Sequence, residues 1–108
     1  WGGWTVRWST APAPDLLDRG GWVSWFAPAT LCLRAWKPGD RLHPLGGTGR
    51  RLVVRCLQEA RIPATRRPAW PVLVDAGGHH VWVPGVCRGR ELVPPPGTEA
   101  LRIDVELP

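Results

Sequence analysis

The sequence contains no methionine, only three cysteines and no long apolar run, and each shortage excludes a class of protein. Secreted domains held by disulfides usually carry an even and dense set of cysteines. The three here are widely spaced, so we expect reduced thiols in a cytoplasmic protein, packed as small core residues: Cys32, Cys56 and Cys87. No window approaches the roughly 18 to 20 apolar residues of a membrane-spanning helix. Because the chain begins at Trp1 without a signal-peptide pattern and holds no methionine, we expect a piece of a longer protein.

The residue patterns of an active site or a metal site are also missing. Ser9 and Ser24 lie in strand-like segments with no histidine or aspartate near them, and no nucleophile elbow occurs. His79 and His80 are adjacent. Neighbouring residues of a strand point to opposite faces, so these two cannot share a metal ion without distortion. We therefore assign no catalytic residue, no metal ligand and no cofactor to this chain.

Positive charge is present, and it is concentrated in one segment. The net charge is +5, but residues 34–67 hold nine basic residues against two acidic ones, while the rest of the chain holds five against seven. A segment of +7 beside a remainder of −2 indicates a surface that faces a polyanion. All the basic residues except Lys37 are arginines. The planar arginine fork suits phosphate oxygens and stacks on bases, so this composition favours RNA.

Short apolar and alternating segments predict a β-rich domain. Apolar residues make up 44% of the chain, and 13 glycines with 13 prolines favour short strands joined by fixed turns. The predicted strands are Trp4–Ser9, Trp22–Phe26, Leu31–Trp36, Trp70–Asp75, Val81–Pro84 and Leu101–Leu107. The prolines that follow the first strand should break it from Ala11 onward, because proline donates no ladder hydrogen bond.

One segment has helical spacing. Its apolar residues recur at intervals of three and four: Leu52, Val53, Cys56, Leu57 and Ala60. They predict an amphipathic helix over about 51–61, ended by Ile62-Pro63. The sequence thus predicts an α+β, β-rich fold with a compact sandwich- or barrel-like sheet and one inserted helix. Residues 1–30 should supply N-terminal strands that lead into a domain of residues 31–108, the whole forming one compact unit.

The stretch between the third strand and this helix is basic and rich in turn residues, which indicates a loop held in one shape. The residues expected to structure it are Gly39, Asp40, Gly46, Gly47 and Gly49. Asp40 should bond backbone amides or pair with Arg34 or Arg41. The last glycines open into the helix, where backbone amides and nearby arginines attract phosphate. The alternative is a plain turn in which Thr48 or Gly49 caps the helix.

Eight tryptophans could pack in a core or stack on bases. Alternating strand positions favour core packing for Trp4, Trp8 and Trp82. Only Trp36 and Trp70, which border the basic segment, are considered for stacking on RNA, and core packing is the alternative for both.

Residues Arg34 to Gly46 follow the pattern R-x-x-x-P-G-D-R-x-x-P-x-G, which resembles the C-terminal domains of tRNA(Ile)-lysidine synthetases. The resemblance continues through the helix to Arg66-Arg67, then to Trp70–Val74 and Val81–Gly85. It implies a compact, β-rich, sandwich-like fold related to a module of the phenylalanyl-tRNA synthetase β subunit.

The resemblance also implies a division of labour. These enzymes use ATP to join lysine to the wobble cytidine of an isoleucine tRNA. Their catalytic N-terminal domain carries a Ser-Gly-Gly-x-Asp-Ser loop, which this chain lacks. The family pattern therefore assigns ATP and Mg²⁺ to a catalytic domain outside this chain, and it assigns tRNA gripping to the C-terminal domain.

We therefore expect a non-catalytic, RNA-binding part of a cytoplasmic ligase, with tRNA and its own catalytic N-terminal domain as partners. The expected RNA-binding residues are Arg34, Lys37, Arg41, Arg50, Arg51, Arg66 and Arg67. The alternative is a structural or docking domain that contacts its own catalytic domain or a partner subunit, with incidental charge.

Overall fold

The computed structural model describes all of residues 1–108, and short antiparallel strands make up most of its regular structure. The strands are β1 Thr5–Pro12, β2 Val23–Phe26, β3 Leu31–Ala35, β4 Arg41–Leu42, β5 Arg51–Leu52, β6 Pro71–Asp75, β7 His80–Val83, β8 Cys87–Arg88 and β9 Glu99–Glu106. The single α-helix, α1, spans Val53–Glu59, and a 3₁₀ turn spans Arg67–Ala69. No helix is long and apolar enough to cross a membrane.

Three sheets form from these strands. One has the order β1-β9-β2, a second has the order β3-β6-β7-β8, and β4 pairs with β5 alone. β9 lies at the centre of the first sheet because its alternation buries Ile103 and Val105 on one face. β1 is an edge strand, so Pro12 is tolerated opposite Glu99 at its end. The predicted break at Ala11 was therefore wrong.

The two larger sheets share one hydrophobic core. The ring of Phe26 in the first sheet lies 5.7 Å from the ring of Trp82 in the second. The core includes Phe26, Ile103 and Val105 from the first sheet and Val72, Leu73, Val74, Val81, Trp82 and Val83 from the second. The radius of gyration is 13.0 Å, as expected for a compact chain of this length. The predicted α+β, β-rich class is confirmed.

Trp8 and Cys32, both predicted to lie in the core, are exposed instead. Trp4 is buried and meets Trp70 edge-on, with ring centroids 4.9 Å apart. Trp8, which lies further along in β1, is 71% exposed. Its face of β1 borders an open apolar groove that no element of the chain fills. Cys32 is also exposed, while Cys56 is buried and Cys87 is half-buried.

The helix is shorter than the spacing of apolar residues predicted. Arg51 and Leu52 belong to β5, where they pair with β4, so the helix begins only at Val53. At its other end the amide of Ile62 bonds the carbonyl of Leu57, and Arg61 adopts a φ of 59°. This is a Schellman termination, which closes the helix before Pro63. The predicted inserted helix is confirmed, and at each end it is two residues shorter than the predicted range of about 51–61.

Arg88 is a fully buried cation between the sheets. Its guanidinium lies 4.2 Å above the ring of Phe26, and its Nε donates to the hydroxyl of Ser24 at 2.9 Å. Both terminal nitrogens donate to backbone carbonyls, those of Trp25, Val81, Gly89, Glu91 and Leu92. Burial lowers the pKa of Arg88 to about 10, so the side chain remains charged at neutral pH.

Candidate nucleic-acid interface

A polar cleft of about 350 Å³ opens beside the short sheet of β4 and β5. It lies between the loop that contains β4, the turn before β7 and the segment after β8, and Leu42 is its one hydrophobic lining residue. The lining residues are Gly39, Asp40, Arg41, Leu42, His43, Arg50, Gly78, His79, His80, Arg90 and Glu91. We refer to this set as the polar cleft.

A tight turn sets one wall of the polar cleft. The amide of Asp40 donates to the carbonyl of Lys37 at 3.0 Å, with Pro38 and Gly39 at the two central positions. Gly39 has a φ of +93°, which fits the glycine position of a type II turn. The Asp40 carboxylate also accepts from the amide of Lys37 at 2.7 Å. Asp40 thus accepts a backbone hydrogen bond within the loop, and its role in holding the loop stays a prediction.

An ion network joins this turn to the second sheet. Arg34 donates from both terminal nitrogens to the two oxygens of Asp40, at 3.0 and 3.2 Å. The Nε2 of His80 lies 3.3 Å from Asp40 and 2.9 Å from Arg34. Burial alone would raise the pKa of Asp40, but hydrogen bonds from Arg34 and from the Lys37 amide, with the nearby His80, lower it below its usual value. The network fixes the loop against β7.

We expect Asp40→Asn to destabilise the chain by about 1–3 kcal/mol, because Arg34 loses its charged partner in a half-buried place. The lowered pKa means that Asp40 stabilises the fold above the pKa of the unfolded chain, near 4, and that this contribution is lost as the pH falls through the folded pKa. Urea unfolding at pH 7 and at pH 3 measures this, and the difference from the unsubstituted chain should shrink at pH 3. Exposed Asp15→Asn is the control. Equal stability of Asp40→Asn at pH 7 would contradict the role of the network.

Two of the predicted RNA-binding residues line the polar cleft, Arg41 and Arg50. Both are exposed. Neither has a carboxylate within 4.0 Å, since every ion pair in the chain involves other residues. The Nε of Arg50 donates to the Nε2 of His43 at 3.3 Å, which holds the guanidinium at the cleft. Both charges are therefore free for an external anion.

The other predicted RNA-binding residues lie outside the lining. Arg34 does not line the cleft but donates hydrogen bonds to Asp40, which does. Lys37 is exposed beside it, while Arg51 is paired with Glu59. Arg66 is exposed and borders a separate depression, and the half-buried Arg67 donates to the carbonyl of Ile62 at 2.9 Å. The seven basic residues thus do not form one site.

The glycine cluster does not open into the helix. β5 stands between them, and the first helical amide, that of Val53, donates to the carbonyl of Asp40 at 2.8 Å. The predicted phosphate contact at a helix N-terminus was wrong, and so was the alternative cap by Thr48 or Gly49, because Leu52 occupies the cap position without a side-chain bond. Gly46 and Gly49 have positive φ, whereas Gly47 does not.

The cleft also contains residues that sequence reasoning missed. Arg90, His43 and His79 line it, although His43 is far from the other two in sequence. The amide of Arg90 donates to the carbonyl of His43 at 2.8 Å, so backbone pairing brings them together. His79 lies in the turn and only His80 begins β7, so the expected opposite-face arrangement does not hold and both rings line the cleft. No group of three histidine, cysteine, aspartate or glutamate side chains is placed to hold a metal ion.

Neither tryptophan considered for RNA stacking lines the polar cleft. Trp70 is 2% exposed, and its indole donates to the carbonyl of Pro84 at 3.0 Å, so its faces are taken up by the core. Trp36 is half-buried and donates to the carbonyl of Arg67. Trp70 therefore packs in the core, which was the alternative to stacking on RNA.

The chain is similar to one family of known proteins. A family model described as the TilS substrate C-terminal domain matches residues 31–105. The chain is 43% identical over 79 residues to a tRNA(Ile)-lysidine synthase of Symbiobacterium thermophilum, covering 72% of this chain and 16% of that protein. It is 34% identical over 84 residues to the synthase of Geobacter sulfurreducens, covering 74% and 18%. The chain therefore spans less than a fifth of the length of these curated relatives.

Two solved structures share the fold. A crystal structure of a TILS C-terminal domain has a TM-score of 0.80 and 23% identity, over 97% of this chain and 85% of that one. An N-terminal fragment of the phenylalanyl-tRNA synthetase β subunit from Pyrococcus horikoshii has a TM-score of 0.64 and 14% identity, over 94% of this chain and 38% of that one. At these identities the likeness concerns the fold alone, and both folds were expected from the resemblance in sequence.

Proposed function

Because the chain belongs to the TilS substrate C-terminal domain family, we propose that it is the tRNA-binding C-terminal domain of a tRNA(Ile)-lysidine synthase. In this proposal it holds the tRNA while a catalytic domain elsewhere in the parent protein uses ATP to join lysine to the wobble cytidine. The chain supplies affinity and orientation, and no group that reacts. The place of action is the cytoplasm.

The observation that carries the proposal is the pair of unpaired arginines at the polar cleft. Arg41 and Arg50 are exposed cations in a concave, polar place, and neither has an acidic partner within 4.0 Å. Concave surfaces of one charge sign concentrate counter-ions of the other sign. Lys37 and Arg66 lie outside the cleft lining and are also exposed and outside every ion pair. Double-stranded RNA presents phosphates and 2′-hydroxyls rather than readable base edges, and such a surface suits it.

A second candidate function, docking to another domain or subunit, is favoured by a different feature. An apolar groove of about 480 Å³ runs along β1 and is lined only by hydrophobic residues. Trp1 and Trp8 on its rim are 46% and 71% exposed. Exposed apolar patches mark interaction surfaces in many proteins. The two functions use different faces of the chain and can be separated by their dependence on salt.

We expect the 108-residue chain to bind an unmodified isoleucine tRNA with strong salt dependence. Each neutralised phosphate contributes a slope of about −0.9 to the logarithm of affinity against the logarithm of salt concentration. Four of the predicted RNA-binding residues are exposed and unpaired, and contacts from these four should give a slope of roughly −4: Lys37, Arg41, Arg50 and Arg66. Filter binding from about 50 to about 300 mM KCl measures it.

The competing function has its own outcome in the same experiment. If tRNA does not bind at the lowest salt, and a purified catalytic domain binds the chain with a flat salt profile, the chain is a docking domain. Trp8→Ser serves as the matched variant, because it alters the apolar groove and leaves the polar cleft intact. tRNA binding should be unaffected by this change.

A further inference from the structure

We propose that the polar cleft is a binding site for a single phosphate group of RNA, formed by Arg41, Arg50 and Arg90. The identity of the ligand as RNA rests on the proposed function, whereas the phosphate chemistry rests on the cleft itself. Arg90 lies outside the basic segment of residues 34–67.

Three cations reach the cleft from three separate segments. Arg41 comes from β4, Arg50 from the loop that precedes β5, and Arg90 from the residues after β8. Arg41 and Arg90 belong to backbone that is tied down: Arg41 pairs with Leu52 in the short sheet of β4 and β5, and the amide of Arg90 bonds the carbonyl of His43. Arg50 is held through its side chain, whose Nε donates to the Nε2 of His43. A guanidinium presents a planar fork of donors that matches phosphate oxygens. Forks from three directions can surround one phosphate group.

The acidic residues of the cleft have their own cations. Asp40 is held by both terminal nitrogens of Arg34, at 3.0 and 3.2 Å. Glu91 has one oxygen 3.8 Å from the Nε of Arg90, which leaves the two terminal nitrogens of Arg90 for a phosphate. Its other oxygen is buried without a hydrogen-bond partner. Arg41 and Arg50 therefore remain in excess, and the cleft favours an anion.

The lining favours a phosphate over a base stacked on tryptophan or phenylalanine. Proteins that bind single-stranded RNA stack its bases on aromatic side chains. No tryptophan or phenylalanine lines the polar cleft, and Leu42 is its one hydrophobic residue. Gly39 and Gly78 on the wall have no atom within 4 Å of where a Cβ would lie, so the entrance is free of side chains there. A volume of about 350 Å³ accommodates a phosphate with its sugar.

The test variant is Arg90→Gln, chosen because 62% of the Arg90 side chain is exposed and its backbone bond to His43 remains. Arg102→Gln, on the first sheet and outside the cleft, is the matched control. We expect Arg90→Gln to weaken tRNA binding about tenfold, the effect of one charge-assisted contact, with no change in thermal midpoint. Arg102→Gln should bind as the unsubstituted chain does.

Two RNA hairpins that differ only in a 5′-phosphate or a 5′-hydroxyl identify the source of the phosphate. If the cleft takes a terminal phosphate, the 5′-phosphate hairpin binds about tenfold more tightly and Arg90→Gln removes the difference. If it takes a backbone phosphate, both hairpins bind equally and Arg90→Gln weakens both. Either result supports the site.

Titration of inorganic phosphate, followed by NMR on the side chains of His43 and His79, separates the cleft from the proposed function. Phosphate should shift these signals in the unsubstituted chain more than chloride at equal ionic strength. If phosphate leaves them unchanged and Arg90→Gln binds tRNA normally, the cleft proposal is overturned while tRNA binding stands. If phosphate shifts them but no RNA binds, the cleft is an anion site and the proposed function fails.

Discussion

Arg88→Met is expected to destabilise this chain by about 4 kcal/mol or more. Methionine keeps the apolar stem of Arg88 but removes every donor. The hydroxyl of Ser24 and five backbone carbonyls would then lose a donor. The carbonyls of Val81 and Leu92 still accept from the amides of Gly89 and Ala27, but the others lose their bond to Arg88. Each buried acceptor left unsatisfied costs about 1–3 kcal/mol, which repacking recovers only in part. Urea unfolding measures the loss, and a calorimetric scan should show a midpoint lower by roughly 20 °C.

Two further substitutions isolate the cause. Arg88→Lys retains the positive charge but concentrates its donors at one point, so it cannot reach acceptors on both sides of the guanidinium, and it should remain well below the unsubstituted chain in stability. Arg7→Met removes an arginine whose side chain is 60% exposed and paired with Glu106, and it should cost under about 1 kcal/mol. A small loss for Arg88→Met, similar to that of Arg7→Met, would refute the role of Arg88 in joining the sheets.

Arg41→Glu/Arg50→Glu is expected to weaken tRNA binding by about 10²- to 10⁴-fold at moderate salt. The change removes two charge-assisted contacts, each of about 1.5–3 kcal/mol, and places two carboxylates in a cleft that already holds Asp40 and Glu91. Both arginines are exposed and outside every ion pair, so the fold should tolerate the change. Filter binding gives the affinity, and the salt slope should become shallower by about 2.

A charge-matched control distinguishes a local site from a general field. Arg7→Glu/Arg102→Glu changes the net charge by the same amount, but both residues lie on the sheet of β1, β9 and β2 and neither lines the cleft. This variant should lose affinity by less than about tenfold, because exposed charges beyond a Debye length of roughly 8–10 Å are screened. Equal losses for the two variants would mean that tRNA responds to overall charge and that the polar cleft has no special part.

The loop of residues 37–40 is where sequence reasoning reached furthest. Proline followed by glycine specifies a tight turn, and an aspartate at its end has amides within reach, so the role of Asp40 depends on neighbours only a few residues away. The pairing of Asp40 with Arg34 was foreseeable for the same reason. The contact with His80 was not, because 40 residues separate the two and only the pairing of β3, β6 and β7 brings them together.

The helix and Trp8 show where local patterns mislead. The apolar spacing of Leu52 and Val53 suits a helix, but β4 supplies hydrogen-bond partners that draw Leu52 into a strand. Trp8 has the alternation of a core residue, but a strand buries a face only where another layer covers it. At Trp8 the groove is open, so the same pattern leaves a large exposed ring.

The sequence by itself determined the β-rich class, the turn at Pro38-Gly39, the concentration of positive charge and the family, because each depends on residue type, short-range spacing or the order of motifs. The tertiary structure decided which of the positive charges are free to bind an external anion. Arg34 and Arg51 are paired, Arg67 bonds a backbone carbonyl, and Arg41 and Arg50 meet a distant Arg90 at the polar cleft. The same folding buried Arg88, a residue no pattern singled out, between the sheets. The physical reason is that electrostatic interaction depends on distance and burial, which strand pairing sets and residue order does not.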